Sequence, residues 1–115
     1  MLPNRLQINS RVEDQLRRLK NATGIAPNIS ARIAFFRSVE SGYRFYEEDY
    51  KTDGKMSMDK AVWLGDTCVA TELVLKMIYP EFDGKKMMQA WASHVEDGIA
   101  SLRNYKSVIE FAEVI

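Results

Sequence analysis

Basic side chains are concentrated near the start of the chain, in a spacing that suits them to binding phosphate groups. Residues 1–44 hold eight Lys or Arg against three Asp or Glu, a balance of +5, whereas residues 45–115 balance at −5. The formal net charge of zero therefore conceals a dipolar protein. Cationic groups held on one scaffold neutralise phosphates and release counterions. The candidate phosphate ligands are Arg5, Arg11, Arg17, Arg18, Lys20 and Arg32.

The basic cluster favours duplex DNA over single-stranded nucleic acid. Its centre, Arg17, Arg18 and Lys20, lies within about one turn of a predicted helix. That helix has no aromatic residue among its basic ones, although a platform for stacking unpaired bases needs them. The alternative interpretation is a solvated helix face that Glu13 and Asp14 partly neutralise.

The residue types of metal and catalytic sites are scarce. A single cysteine, Cys68, excludes an internal disulfide and argues against a cysteine-based metal site. A single histidine, His94, could pair with Asp97 on one helical turn as a proton shuttle. The simpler interpretation is a half-buried histidine beside a solvated acidic edge. Because a glycine-rich phosphate loop is also absent, we expect no enzymatic activity, no cofactor and no metal.

A short strand is predicted just before the basic helix. Residues 4–9 alternate polar with apolar side chains, which places Arg5, Gln7 and Asn9 on one face. An extended N-terminal arm is the alternative. The order strand, helix, glycine, helix resembles a ribbon-helix-helix module, in which the paired strands of two chains lie in the major groove. The three polar residues would then read guanine and adenine edges.

Two helices are predicted to follow this strand. Ser10, with Glu13 three positions later, is typical of a helix N-cap with a capping box. Gly24 predicts the end of this first helix. Pro27 suits the first turn of the second helix, and Gly42 predicts where that helix ends. The predicted apolar stripe of the second helix is Ile29, Ile33, Phe36 and Val39, and Ala34 and Phe35 widen it.

The second half of the chain is predicted to be helical. After an aromatic, acidic linker at residues 43–57, a long helix is expected from Ser57 or Met58 to Tyr79, before Pro80. Its two apolar stripes are typical of a central helix or a subunit interface. A helix at 84–104 and a short one at 107–113 complete the prediction. The stripes of the long helix are Ala61, Leu64, Cys68, Leu75 and Ile78, and Val62, Val69, Leu73 and Met77. The stripe of the helix at 84–104 is Met88, Trp91, Val95, Ile99 and Leu102.

The fold class that follows is a mainly α single domain. It comprises a basic strand–helix–helix half over residues 1–42 and a helical oligomerisation half over residues 57–115. No apolar run approaches the roughly 20 residues of a transmembrane helix, and the start of the chain lacks the pattern of a signal peptide. A lone cysteine suits a reducing compartment. We therefore expect a cytoplasmic protein with no membrane partner.

Longer segments carry a more specific resemblance. Residues 11–20 read RVEDQLRRLK, residues 31–40 read ARIAFFRSVE, and TGIAPN at 23–28 joins them. In the second half the matching segments are WLG at 63–65, ATELVLKM at 70–77 and AWASHVEDGI at 90–99. Together they resemble the DndE family of bacterial DNA phosphorothioation proteins over nearly the whole chain, apart from the linker and the C-terminal tail.

The resemblance implies a small accessory subunit of the Dnd machinery, which replaces a non-bridging phosphate oxygen of DNA by sulfur. It implies a homotetramer that binds duplex DNA, preferentially nicked, through surface basic residues, chiefly lysines. Carried over by position, the first choices are Lys20, Arg17 and Arg18, and the other Dnd proteins would be partners. A sulfur-carrier role for Cys68 would require an exposed thiol with a low pKa, which a position on an apolar stripe does not favour.

The residues leave two other functions open. A ribbon-helix-helix transcriptional regulator would bind one palindromic site tightly and lose that site when Gln7 or Asn9 is changed. A scaffold of the same complex would contact no DNA. An accessory DNA-binding subunit would instead show weak sequence preference and a steep salt dependence set by Arg17, Arg18 and Lys20.

Overall fold

The computed structural model describes residues 1–46 and 49–102, and it confirms a mainly α fold with a short N-terminal strand. The predicted helix at 107–113 lies outside the described residues, as does the end of the helix predicted over 84–104. A 3-10 turn at Gly65–Thr67 separates two of the helices. The elements are β1 (Arg5–Gln7), α1 (Ser10–Thr23), α2 (Pro27–Ser41), β2 (Ser57–Asp59), α3 (Lys60–Leu64), α4 (Cys68–Ile78) and α5 (Gly84–Leu102).

The core forms around α5, whose apolar stripe agrees closely with the prediction. Trp91, Val95, Ile99 and Leu102 are all completely buried. At the start of the stripe Met87 is buried and Met88 only partly so. The two tryptophans of the chain meet edge to face in this core, with the ring centroids of Trp63 and Trp91 5.4 Å apart.

Helix α2 buries Ala34 and Phe35, which the prediction placed beside the apolar stripe, more deeply than the stripe itself. The predicted stripe residues Ile33, Phe36 and Val39 are only partly buried, and Ile29 is exposed. The fully buried residues are Ser30, Ala31, Ala34, Phe35 and Ser38. The reason is close approach: a Cβ on Gly98 of α5 would lie only 1.9 Å from the carbonyl oxygen of Ala34. The small side chains of Ala34 and its neighbours Ser30, Ala31 and Ser38 permit this spacing.

The caps of the first two helices largely follow the prediction. Gly24 and Gly42 adopt left-handed backbone conformations, with φ of 78° and 89°, and end α1 and α2 as predicted. Pro27 begins α2, also as predicted. The N-cap of α1, however, is Asn9 and not Ser10: its Oδ1 accepts a 2.9 Å hydrogen bond from the Val12 N–H. The Glu13 side chain consequently does not complete a capping box.

The long helix predicted from residue 57 to Tyr79 does not form. Its first residues are β2, which pairs antiparallel with β1 so that Leu6 lies opposite Met58. After α3 the chain breaks at Gly65, where φ is +51°. Pairing with a strand some 50 residues away overrides the local preference for helix. Strand β1 therefore pairs with β2 of its own chain, whereas a ribbon-helix-helix dimer would pair it with a second copy.

Candidate nucleic-acid interface

Helix α1 turns its basic residues outward because its apolar residues anchor it to the core. Val12, Leu16 and Leu19 are buried at helical spacing. Most side chains on the opposite side of the helix face solvent. The exposed residues on this side are Arg11, Asp14, Arg17, Arg18 and Lys20. The structure thus exposes four of the predicted basic residues around the solvent side of α1, which we call the α1 surface.

Two of these four cations are already paired within the chain. The Arg17 guanidinium lies 2.7 Å from Glu13 Oε1, and Arg11 Nε lies 3.2 Å from Glu96 Oε2. Glu13 is 4% exposed, and its other oxygen accepts the Met56 N–H at 2.9 Å. The positive charges of Arg11 and Arg17 are therefore partly neutralised before any ligand arrives.

Glu96 is held as a charged partner by several donors. Burial opposes its ionisation, but hydrogen bonds from Tyr50, Arg11 and Asn9 outweigh that effect and lower the pKa of its carboxyl group. The Tyr50 hydroxyl donates to Glu96 Oε1 at 2.8 Å. Glu96 therefore stays ionised, and stays paired with Arg11, throughout the neutral pH range.

Arg18 and Lys20 are the cations of the α1 surface that remain available. Both are exposed, and neither side chain makes an ion pair or a hydrogen bond with any residue in the described part of the chain. A phosphate can therefore approach them without displacing an internal carboxylate. This difference between free and paired cations depends on residues far along the chain, such as Glu96.

Arg32, another of the predicted basic residues, lies on α2 and is bonded to the backbone of α3. Its Nε donates to the Trp63 carbonyl at 2.8 Å, and Nη2 donates to the Val62 carbonyl at 3.0 Å. These bonds satisfy two carbonyls in the last turn of α3, where helix carbonyls have no partner within the helix. A Cβ on Gly65 would lie 2.6 Å from the Arg32 guanidinium. Arg32 is thus a structural residue that helps to turn the chain between α3 and α4.

The three polar residues of the N-terminal strand are also engaged within the chain. Arg5 bonds to Asp59 at 2.9 Å and to the Ser57 carbonyl at 2.8 Å, across the β1–β2 pair. Gln7 donates to the Gly54 carbonyl at 2.5 Å. Asn9, predicted to face outward with them, is 2% exposed and caps α1. The trio is therefore not a free row of base-reading side chains.

His94 is more deeply buried than the sequence indicated. Its ring is completely inaccessible and does not contact Asp97 directly, because the Ser38 hydroxyl lies between them. Burial, with a smaller effect of the Arg44 charge, lowers the pKa of His94 to about 4. A surface cavity of about 430 Å³ is lined by Ser38 and Asp97 among others, but the imidazole does not reach it. Within residues 1–46 and 49–102 no cluster of three His, Cys, Asp or Glu side chains could hold a metal ion.

Cys68 is unsuited to nucleophilic chemistry in this fold. It is half-buried, with Sγ 3.6 Å from Glu72 Oε1. Burial and the neighbouring carboxylate raise the pKa of the thiol. A neutral thiol is a poor sulfur acceptor.

The predicted second apolar stripe of the long helix lies on the outside of the molecule. On α4, Val69, Leu73 and Met77 are 69%, 60% and 80% exposed. Val62 and Ile29 are exposed as well. Successive exposed apolar residues four positions apart form one continuous ridge along a helix. We call Val69, Leu73 and Met77 the α4 ridge. No helix in the described residues is long and apolar enough to cross a membrane.

Fold and surface together define a small, mainly helical protein with one basic helix and one exposed apolar helix ridge. The sequence family described as DNA sulphur modification protein DndE matches residues 5–110. The chain belongs to the DndE family. Members of this family take part in DNA phosphorothioation, so the chain is a protein of that modification system.

Two solved structures closely resemble this chain. DndE from Escherichia coli B7A, described as involved in DNA phosphorothioation modification, is 59% identical with a TM-score of 0.84, over 89% of this chain and 99% of that one. A DndE mutant with two glycines replaced by lysine, also described as involved in DNA phosphorothioation, is 55% identical with a TM-score of 0.79, over 90% and 99% of the two chains. No curated protein sequence matches significantly.

Proposed function

We propose that this chain is a non-enzymatic, DNA-binding subunit of the phosphorothioation machinery in the bacterial cytoplasm. It holds duplex DNA, preferentially nicked, while other Dnd proteins carry out the sulfur chemistry. The observation that carries this proposal is the pair Arg18 and Lys20, which are exposed on a helix anchored to the core and unpaired among the residues that the structure describes. The buried His94 and the raised pKa of the Cys68 thiol support a role without catalysis.

The proposed contacts are to phosphates and not to base edges. Phosphate contacts set position and affinity, whereas sequence is read at bases. Arg5 and Gln7 already bond within the chain, and Asn9 is buried. This arrangement favours an accessory subunit with weak sequence preference over a ribbon-helix-helix regulator with one operator.

Neutralising Arg18 and Lys20 together should weaken binding to duplex DNA and flatten its salt dependence. Each lost phosphate contact removes about 0.9 from the slope of log affinity against log salt. For the double variant Arg18→Gln, Lys20→Gln, the slope should therefore be less steep by about 1.8 for each protomer bound to the DNA. The measurement is a salt titration by fluorescence anisotropy with intact, nicked and single-stranded DNA of one sequence.

Arg11→Gln and Arg5→Gln are the matched controls, because each also removes a positive charge from an exposed side chain. Both arginines are paired with carboxylates, so these variants should leave the slope nearly unchanged. An unchanged slope in the Arg18, Lys20 variant would contradict the assignment of the α1 surface. Absence of duplex binding at low salt by the native protein would favour the scaffold function instead.

We also propose that the α4 ridge is an interface between copies of this chain, consistent with the tetramer that the resemblance implies. Apolar side chains with this exposure and continuity are unfavourable in water unless another surface covers them. Leu73→Glu should lower the oligomeric state, because it would place a charge inside the interface. Sedimentation velocity measures this, and Lys76→Glu, an exposed site on the same helix, is the control. An unchanged oligomer in Leu73→Glu would show that the interface lies elsewhere.

A further inference from the structure

A chain of hydrogen bonds runs through the core, and the proposed binding function does not use it. His94 lies between the Tyr79 hydroxyl, 2.7 Å from Nε2, and Ser38 Oγ, 2.8 Å from Nδ1. Ser38 Oγ in turn bonds to Asp97 Oδ2 at 2.8 Å. At the other end the Phe45 N–H donates to the Tyr79 hydroxyl at 2.7 Å. These hydrogen bonds thus connect the segment after α2 with the end of α4, with α5 and with α2 itself.

The donors and acceptors of this chain can be satisfied together in one way. The Ser38 hydroxyl donates its hydrogen to Asp97 Oδ2, because a carboxylate oxygen is the acceptor of this bond. Ser38 Oγ then has only lone pairs to offer His94, and Nδ1 must carry the hydrogen. In neutral imidazole Nε2 is then bare and accepts from Tyr79. The Tyr79 oxygen keeps a lone pair for the Phe45 N–H, so every donor and acceptor of these four bonds is used.

The other forms of His94 each leave a bond unmade. With the hydrogen on Nε2, the Ser38 hydroxyl would have one hydrogen for two acceptors, Nδ1 and Asp97. A doubly protonated ring would deprive the Tyr79 hydroxyl of its acceptor inside the core. The nearby Arg44 charge also opposes protonation. A buried group without a partner is costly, so these forms are disfavoured.

We propose that Tyr79, His94 and Ser38 form a one-directional hydrogen-bond latch, with His94 fixed as its Nδ1–H tautomer, that holds residues 43–45 against the helices. Aromatic contacts support the same placement. The Tyr43 ring meets the His94 ring edge to face at 5.0 Å, and Tyr79 stacks on Phe82 at 5.0 Å. All hydrogens in the latch point from Phe45 towards Asp97, an alignment in which each bond polarises the next.

The tautomer is tested directly on the native protein. Long-range proton–nitrogen correlation spectra of uniformly ¹⁵N-labelled protein at neutral pH distinguish a protonated ring nitrogen from a bare one. We expect the single histidine of the chain to show a protonated Nδ1 and a bare Nε2. A protonated Nε2, or averaging of the two tautomers, would overturn the proposal. This measurement requires no variant and so does not depend on a substitution being tolerated.

The latch is tested by the exchange of one amide hydrogen. Tyr79→Phe removes the oxygen that accepts the Phe45 N–H, so exchange at Phe45 should accelerate about tenfold or more. Exchange at Leu16 in α1 should not change. Tyr46→Phe is the matched control, because that side chain is 79% exposed in the same segment. Equal Phe45 exchange rates in Tyr79→Phe and native protein would show that Tyr79 does not hold the segment.

Discussion

Gly98→Ala is expected to lower the free energy of unfolding by about 3 kcal/mol. The added Cβ would meet the Ala34 carbonyl oxygen at 1.9 Å and the Ala34 carbonyl carbon at 2.5 Å. These are backbone atoms of α2, so the contact can be relieved only by moving a whole helix. Alanine is favoured over glycine inside a helix by roughly 1 kcal/mol, which is too little to offset the clash.

Chemical denaturation monitored by tryptophan fluorescence measures this effect, since Trp63 and Trp91 both lie in the core. Gly24→Ala is the matched control. Residue 24 has a left-handed backbone conformation, but no other atom lies within 4 Å of the position that the new Cβ would occupy. This substitution should cost only about 1 kcal/mol. Adding Ala34→Gly should not rescue Gly98→Ala, because the carbonyl remains. Native-like stability of Gly98→Ala would mean that α2 and α5 are further apart than described.

The second large effect is a loss of stability on acidification that His94 controls. The folded protein lowers the pKa of His94 from 6.5 to about 4. As the pH falls, the unfolded chain therefore takes up this proton before the folded protein does. The stabilisation is complete above pH 6.5 and declines as the pH falls towards 4. The full shift corresponds to about 3 kcal/mol.

The other groups near His94, and the titratable carboxyl groups elsewhere, affect stability in ways that can be told apart from the effect of His94. Arg44 and Tyr43 also lie near the ring. Burial raises the pKa of Tyr79, so this phenol stays uncharged in the interval, and Asp97 is separated from the ring by Ser38. Glu72 and Glu96, whose pKa values are lowered in the fold, lose their contribution below their unfolded value of 4.5. The interval between pH 6.5 and 4.5 therefore reports mainly on His94.

Urea unfolding at intervals between pH 7 and 4.5 measures this dependence, and His94→Gln should show a much smaller slope. A proton NMR titration of the native protein gives an independent answer: the His94 resonances should not move between pH 7 and 5. A midpoint near 6.5 in the folded protein would contradict the burial described for this ring.

The features that the sequence determined by itself are those with local causes. Gly24, Pro27 and Gly42 act through their own backbone preferences, so the ends of α1 and α2 could be predicted. The apolar spacing of α5 is regular, so its buried face could be predicted as well. The separation of positive and negative charge is a property of the chain itself, and it is enough to locate the basic helix.

The tertiary structure decided everything that depends on residues distant in the chain. Strand β2 exists because β1 pairs with it, and the buried face of α2 follows from Gly98 on another helix. The same holds at the candidate site, where Glu96 neutralises Arg11 and the carbonyls of α3 engage Arg32. Periodicity describes one element at a time and cannot show which partner a charge or a helix face will meet. The packing of residues 1–46 and 49–102 pairs several cations with carboxylates or carbonyls and leaves Arg18 and Lys20 free on α1. The sequence alone does not show this difference.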